Sequence, residues 1–358
     1  MKARDLFNKV QILSLSRYFA GFGPKPFRRP IVVSEIVTRQ KRAAIAVASA
    51  HDFTLSPVGE LPAGRDLWPG PAYCLNQGQE RALFTICPDN DDLSEAPFFW
   101  QAQHQRASHI ASIPFERLHE FLGTLPQRPI FIFSIGRCGS TLLSALVRAS
   151  GARSVSEPDL LTQLALTAVG ERKRMSEALR QLLIKSCVAS LAIQRTTPVA
   201  IKLRSQCNGI AREIAQVFPD GTYVVMMRDR HAWLNSRLRT LGGDPRDLAS
   251  LYRRGLQTFH ELRSLGVNSV MIWYEDMMSD PAGILAQLMS NTPSGSRISD
   301  IQSVLNVDSQ AGTALEKNDI RRRGPTPEQV KIFDDEWEKI RPDSWIQTYR
   351  LDRLPTVS

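Results

Sequence analysis

The sequence predicts an α/β protein in three layers, a central parallel sheet between helices, with an N-terminal extension of mixed α/β character. From residue 128 onward, short apolar runs alternate with helical stretches, the pattern of strand–helix units whose crossovers cover both faces of a parallel sheet. The first such unit, Phe131-Ile-Phe-Ser-Ile-Gly-Arg-Cys-Gly-Ser-Thr-Leu-Leu143, carries an apolar strand through a two-glycine turn directly into a helix. The chain has 358 residues, 42% hydrophobic and 23% charged, enough to bury a large core, which excludes a disordered or fibrous chain.

The opening segment MKARDLFNKVQILSLSRYFAGFG places Leu6, Val10 and Leu13 at helical spacing. It reads as a short amphipathic helix, either packed on the protein or touching a membrane surface. Asn8, Gln11, Ser14, Ser16 and Arg17 interrupt its apolar stretch, so neither a secretory signal nor a membrane span is expected. The Pro- and Gly-rich SPVGELPAGRDLWPGPAY follows, then the apolar runs ALFTI and APFFW, all read as strands and turns. Residues 112–122 read as a short helix, and the connector GTLPQRP sets the boundary between an accessory region, 1–127, and a second domain, 128–358.

In that domain RPIFIFSI (128–135) is a strand and STLLSALVRAS (140–150) a helix closed by Gly151. Helices follow near 159–169 and 174–193, then the strand PVAIKL (198–203) and a helix over 208–217 ended by Pro219. TYVVMM (222–227) is a buried-type strand, succeeded by helices 231–241 and 245–264 and the strand 268–274. The last clear helix, 281–290, starts with Pro in its first turn.

Forty-five Lys and Arg against thirty-six Asp and Glu give a net charge of +9, a balance suited to a polyanionic partner. The excess is uneven: residues 1–42 carry +8, residues 43–127 carry −6, and residues 128–358 carry +7. No recognition helix or basic aromatic platform supports nucleic acid as the partner. The five cysteines are widely spaced and form no CxxC, so a disulfide framework or zinc cluster is not expected and a reducing, cytoplasmic setting is. The sequence specifies no oligomeric state.

The two-glycine turn lets the amides of residues 138–141 converge on one oxyanion, helped by the helix N-terminus. A metal-dependent phosphate loop needs Gly-Lys-Ser/Thr and an Asp at the end of a buried strand. Here Gly139 is followed by Ser140 and Thr141, the cation is Arg137, and YVVMM ends in Arg228 with Asp229 only after it. These departures weigh against a Mg²⁺-dependent kinase or NTPase and suit transfer of a singly charged group by cations and amides without a metal.

FSIGRCGSTLL resembles the 5′-phosphosulfate loop of the sulfotransferases that use 3′-phosphoadenosine 5′-phosphosulfate (PAPS), nearest the form in the tyrosylprotein and carbohydrate branch. VVMMRDRHAWLNSRL (224–238) is similar to that family's 3′-phosphate motif, and VMIWYEDMMSDP (270–281) to its Tyr-Glu-Asp-Leu segment. The three occur in family order over about residues 128–345, and residues 1–127 have no counterpart.

The resemblance implies a P-loop sulfotransferase-like fold, with the 5′-phosphosulfate on Arg137, Cys138, Gly139, Ser140 and Thr141, and the 3′-phosphate on Arg228 and Ser236. The Cys138 thiol reads as packing, and Ser140 and Thr141 also suit simple helix capping. Arg228 has an ordinary alternative in pairing with Asp229 or Glu275. Arg322, in Arg321-Arg322-Arg323-Gly324, is either a basic clamp on the 3′-phosphate or a solvated turn. Glu157 stands where the tyrosylprotein branch keeps its general base; an acid complementing the next helix is the alternative. Lys202 matches the family's Lys that neutralises the departing bridging oxygen, with Arg204 as runner-up. His231 and His260 read as structural.

The implied function is sulfuryl transfer from PAPS to a hydroxyl acceptor, a glycan, lipid, small alcohol or protein side chain. A non-catalytic scaffold on the same fold is a further alternative, opposed by the joint presence of Glu157, Lys202 and Arg228. Residues 43–127 either cover the acceptor or form a separate extension. The excess charge of residues 1–42 suits a peripheral contact with an anionic membrane or an anionic acceptor.

Overall fold

The computed structural model describes residues 29–43, 46–61, 69–88, 93–122, 125–126, 128–169, 175–192, 199–289, 298–307, 324–342 and 344–345. The expected N-terminal helix and Arg322 lie outside the described residues. The chain forms two compact units, neither continuous in sequence: 1–91 with 100–126 and 159–194, and 92–99 with 127–158 and 195–358.

The first unit is built on an antiparallel sheet of order β2-β1-β5-β4-β3, formed by β1 (Ile31–Arg39), β2 (Phe53–Leu61), β3 (Ala72–Asn76), β4 (Arg81–Ile86) and β5 (His109–Pro114). Ile36, Phe53, Tyr73, Leu83 and Ile110 form a core on this sheet. Two elements differ from expectation. APFFW is not a strand: Phe99 and Trp100 open the helix Phe99–Arg106, anchored where Gln103 Nε2 donates to Ala72 O and Thr85 Oγ1. Residues 112–114 end β5, and only Phe115–Phe121 turns, as a 3₁₀ helix.

The helices Asp159–Val169 and Glu177–Leu191 cluster with the first unit, not with the flanking strands, so one cut at 127 does not describe the chain. Hydrogen bonds hold them to the antiparallel sheet and its loops: Gln163 Oε1 accepts from Leu75 N, Ser190 Oγ from Ala72 N, and Asp159 from Ala48 N.

The second unit has the expected α/β architecture. Its five strands are all parallel, in the order β10-β9-β6-β8-β7: β6 (Ile130–Ser134), β7 (Arg153–Ser156), β8 (Val199–Lys202), β9 (Thr222–Met227) and β10 (Asn268–Trp273). Nearly every residue of β6 to β9 is buried, as strands covered on both faces require. The chain runs from β6 to the β7 edge, returns through β8, then crosses to β9 and β10. That reversal makes the carboxyl end of β6 a topological switch point, where open α/β sheets bind ligands. Behind it Trp233, Tyr252, Phe333 and Trp337 pack in tilted and edge-to-face pairs with centroid separations of 5.3–6.5 Å, joining the helices Arg230–Thr240, Pro245–Ser264 and Pro327–Ile340.

Candidate active site

The site begins where β6 stops. Gly136, Arg137 and Gly139 all have positive φ (72°, 58° and 86°), and this left-handed turn delivers the chain into the helix Ser140–Ala149. Gly139 has no substitute here, because a Cβ would lie 2.4 Å from Tyr274 Cδ2. Trp233 Nε1 donates to Gly136 O at 2.7 Å and fixes the turn from behind. Cys138 is fully buried; burial pushes its thiol up, against the opposing charge of Lys202, so it is a packing thiol. Ser140 is buried and Thr141 half-buried on the first turn of the helix.

Glu157 follows β7 with φ 62°, a conformation uncommon for a non-glycine residue. Its amide donates to Lys202 O at 2.7 Å. Its carboxylate is shared: Lys202 Nζ donates to Oε1 and Arg204 Nε lies 3.2 Å from Oε2. Lys202 is only 4% exposed. Both cationic candidates near β8 therefore converge on the one carboxylate.

Arg228 leaves β9 with its guanidinium 4.6 Å above the Tyr274 ring, Nη1 3.5 Å from Arg137 O and Nε 4.0 Å from Glu275. The Glu275 partnership raised from sequence is present, and that carboxylate also accepts from Asp229 N. Asp229 caps the next helix by accepting from Ala232 N at 2.8 Å. Ser236 is half-buried on that helix, with no side-chain hydrogen bond to Arg228 among the described residues. His231 bonds Asp334 at 3.0 Å, a structural contact.

Sequence reasoning missed Arg237. It lies one turn beyond Trp233, and its Nη1 comes within 3.5 Å of the Cβ position at Gly136. Burial alone pulls its guanidinium below the ordinary value, with no acidic group opposing, and Nε has no hydrogen-bond partner among the described residues. Its i, i+4 spacing from Trp233 was the available signal.

The same segment is matched by a family model. Residues 129–291 fit the one described as "Sulfotransferase family". This part of the chain is a sulfotransferase-family domain. Sulfotransferases transfer sulfuryl groups, so the protein is an enzyme of that class. No curated protein sequence matches the chain significantly. Among solved structures, sulfotransferase STF9 from Mycobacterium avium is similar at 13% identity over 62% of this chain and 77% of its own, with a TM-score of 0.39. The sulfotransferase domain of the Synechococcus PCC 7002 olefin synthase aligns at 20% identity over 64% and 94%, TM-score 0.37. A retinol dehydratase, in complex with androsterone and inactive cofactor PAP, aligns at 18% over 65% and 84%, TM-score 0.33. These are loose structural likenesses; the family assignment rests on the matched sequence.

Proposed function

We propose that the protein transfers the sulfuryl group of PAPS to a hydroxyl acceptor, with Glu157 as general base and Lys202 as the group that neutralises the leaving oxygen. The arrangement of Lys202 and Arg204 around one carboxylate at the tips of β7 and β8, beside the two-glycine turn, carries this reading. The residues suit an anionic donor: the turn is a cradle that a Cβ would fill, and Arg237 has no acidic partner among the described residues. Arg137, Ser140, Thr141 and the amides of residues 138–141 take the 5′-phosphosulfate. Arg228 and Ser236 take the 3′-phosphate, with Arg237 as an added anion contact. No metal has a role in this reading.

In the transfer step the acceptor oxygen forms a bond to sulfur, and the bond from sulfur to the bridging oxygen breaks with its electron pair. The acceptor proton passes to Glu157, and the products are a sulfate ester and adenosine 3′,5′-bisphosphate. Protonation neutralises Glu157 and loosens its hold on Lys202, freeing the ammonium to stabilise charge on the leaving oxygen. The five cysteines, which form no disulfide with one another, fit a reducing cytoplasmic setting. Among the described residues no helix is long and apolar enough to cross a membrane.

The test is sulfur-labelled PAPS with a panel of hydroxyl acceptors, comparing the wild type with Glu157→Gln. Turnover should fall by roughly 10²–10⁴-fold while adenosine 3′,5′-bisphosphate binds as before. Full turnover in the variant would remove Glu157 as base.

A further inference from the structure

Lys202 and Arg204 lie two residues apart and meet one carboxylate at its two different oxygens. Lys202 Nζ donates to Glu157 Oε1, and Arg204 Nε lies 3.2 Å from Oε2. The three side chains are nearly dry, with 12%, 5% and 10% exposure for Glu157, Lys202 and Arg204. In such a setting a carboxylate stripped of its cations is costly.

The two cations are mounted differently. Arg204 is extended (φ −70°, ψ 156°), and the 3₁₀ helix Ser205–Ile210 begins directly beyond it. Its carbonyl accepts from Cys207 N at 2.9 Å. Both flanks are fastened to β6. Leu203 N donates to Ile132 O at 2.9 Å, and the buried Asn208 donates through Nδ2 to Ser134 O at 3.2 Å. The guanidinium is a planar fork that keeps its proton, whereas the Lys202 ammonium is a point charge on a flexible four-carbon stem. This mounting suits Arg204 to stay in place and Lys202 to move.

The proposed transfer asks for that difference. Lys202 must leave Oε1 to meet the departing bridging oxygen, and the carboxylate must not follow it. A base acts only within roughly 2.6–3.2 Å of the proton it takes. We infer that Arg204 is a positioning residue: it holds Oε2 of Glu157 while Lys202 leaves Oε1, and Oε1 takes the acceptor proton. The proton passes to Oε1 as the acceptor oxygen bonds to sulfur and the bridging oxygen leaves with its electron pair. The inference rests on the reading of Glu157 as the base. It also removes Arg204 as a substitute for Lys202 at the leaving oxygen.

The experiment follows adenosine 3′,5′-bisphosphate formation from PAPS by the full-length protein, transfer to water included. The acceptors offered are 4-nitrophenol, N-acetylglucosamine and a tyrosine peptide. Arg204→Ala should lower kcat at least tenfold, with the PAPS KM and the adenosine 3′,5′-bisphosphate Kd within threefold of wild type. Placed on Glu157→Gln, the same change should cost less than a further threefold, since the carboxylate it positions is gone. A merely structural arginine would cost as much on either background. Arg204→Lys keeps a cation without the fork; its kcat should fall at least threefold but less than in Arg204→Ala. It repeats the test if the alanine variant does not fold. An unchanged kcat in a folded Arg204 variant, or an undiminished further loss on Glu157→Gln, would overturn the inference. A matching loss of adenosine 3′,5′-bisphosphate affinity would make Arg204 a donor contact and overturn it too. Full turnover in Glu157→Gln would instead defeat the reading of the base, and no product from the wild type would defeat that of sulfuryl transfer.

Discussion

Arg137 and Glu157 both hold left-handed backbone: the one lies in the two-glycine turn after β6, the other shares its carboxylate between Lys202 and Arg204. Conformations of this kind cost of order 1–3 kcal/mol and persist where the surroundings enforce them. Removing one cation of the trio should separate chemistry from folding. Lys202→Met should lower kcat at least a hundredfold, with adenosine 3′,5′-bisphosphate affinity held within a few-fold. Urea unfolding should show a loss of about 1–3 kcal/mol, less than the roughly 3–5 kcal/mol for a buried charge left bare, because Arg204 remains. Arg237→Met makes the opposite prediction. Its cation has no acidic partner among the described residues to abandon, so stability should be unchanged or improved while the adenosine 3′,5′-bisphosphate Kd rises about tenfold or more by calorimetry. Glu157 and Lys202 were legible as strand-tip positions because each ends a short apolar run, and the roles proposed for them rest on the family resemblance. Arg237 was not legible, because what sets it apart, the lack of an acidic partner among the described residues, depends on every neighbouring element.

The two-glycine turn, proposed above to hold the donor, is held as a unit by elements remote in sequence. Trp233 Nε1 donates to Gly136 O, Asn208 Nδ2 to Ser134 O at 3.2 Å, and Leu203 N to Ile132 O at 2.9 Å. Below it, the absence of a side chain at Gly255 lets the helix Pro245–Ser264 approach closely, since a Cβ there would stand 2.6 Å from Ile135. The turn should therefore tolerate little. Gly139→Ala adds a methyl against Tyr274 at φ 86°; roughly 1–3 kcal/mol of unfolding free energy and more than tenfold in adenosine 3′,5′-bisphosphate affinity should be lost together. Recovery of affinity without recovery of stability in a Gly139→Ala, Tyr274→Ala double variant would separate the methyl clash from the backbone strain. The strand–turn–helix itself was legible because its signals, an apolar run and two glycines, are local. The reading of APFFW as a strand failed because five apolar residues carry no period of their own, and its helix is settled by where Gln103 anchors.

Charge organises the molecule at the largest scale, and the described residues account for part of the basic N-terminal excess. In the first unit Arg29 pairs with Glu116 and Glu80, Arg42 with the buried Asp52, and Arg39 donates to the carbonyls of His104 and Ala107. Arg29 and Arg42 thus have acidic partners from outside the first 42 residues, whereas Arg39 keeps its charge against neutral carbonyls. In the second unit Arg137, Arg228 and Arg237 gather at one turn, and adenosine 3′,5′-bisphosphate affinity should fall with salt. Raising salt from about 0.1 to about 1 M, which shortens the Debye length from about 10 to about 3 Å, should weaken binding at least tenfold. The dependence should be shallower in Arg237→Met; an identical slope would remove that residue from the anion site.

The sequence by itself determined the alternation of strands and helices, the two-glycine turn and the residues at the strand tips, because each is written within a dozen neighbouring positions. Tertiary structure alone decided two things: that residues 159–194 fold with the antiparallel unit, and that Lys202 and Arg204 share Glu157. Each depends on which strands pair and in what register, and pairing between distant segments is fixed by burial of the whole sheet, which no local spacing records.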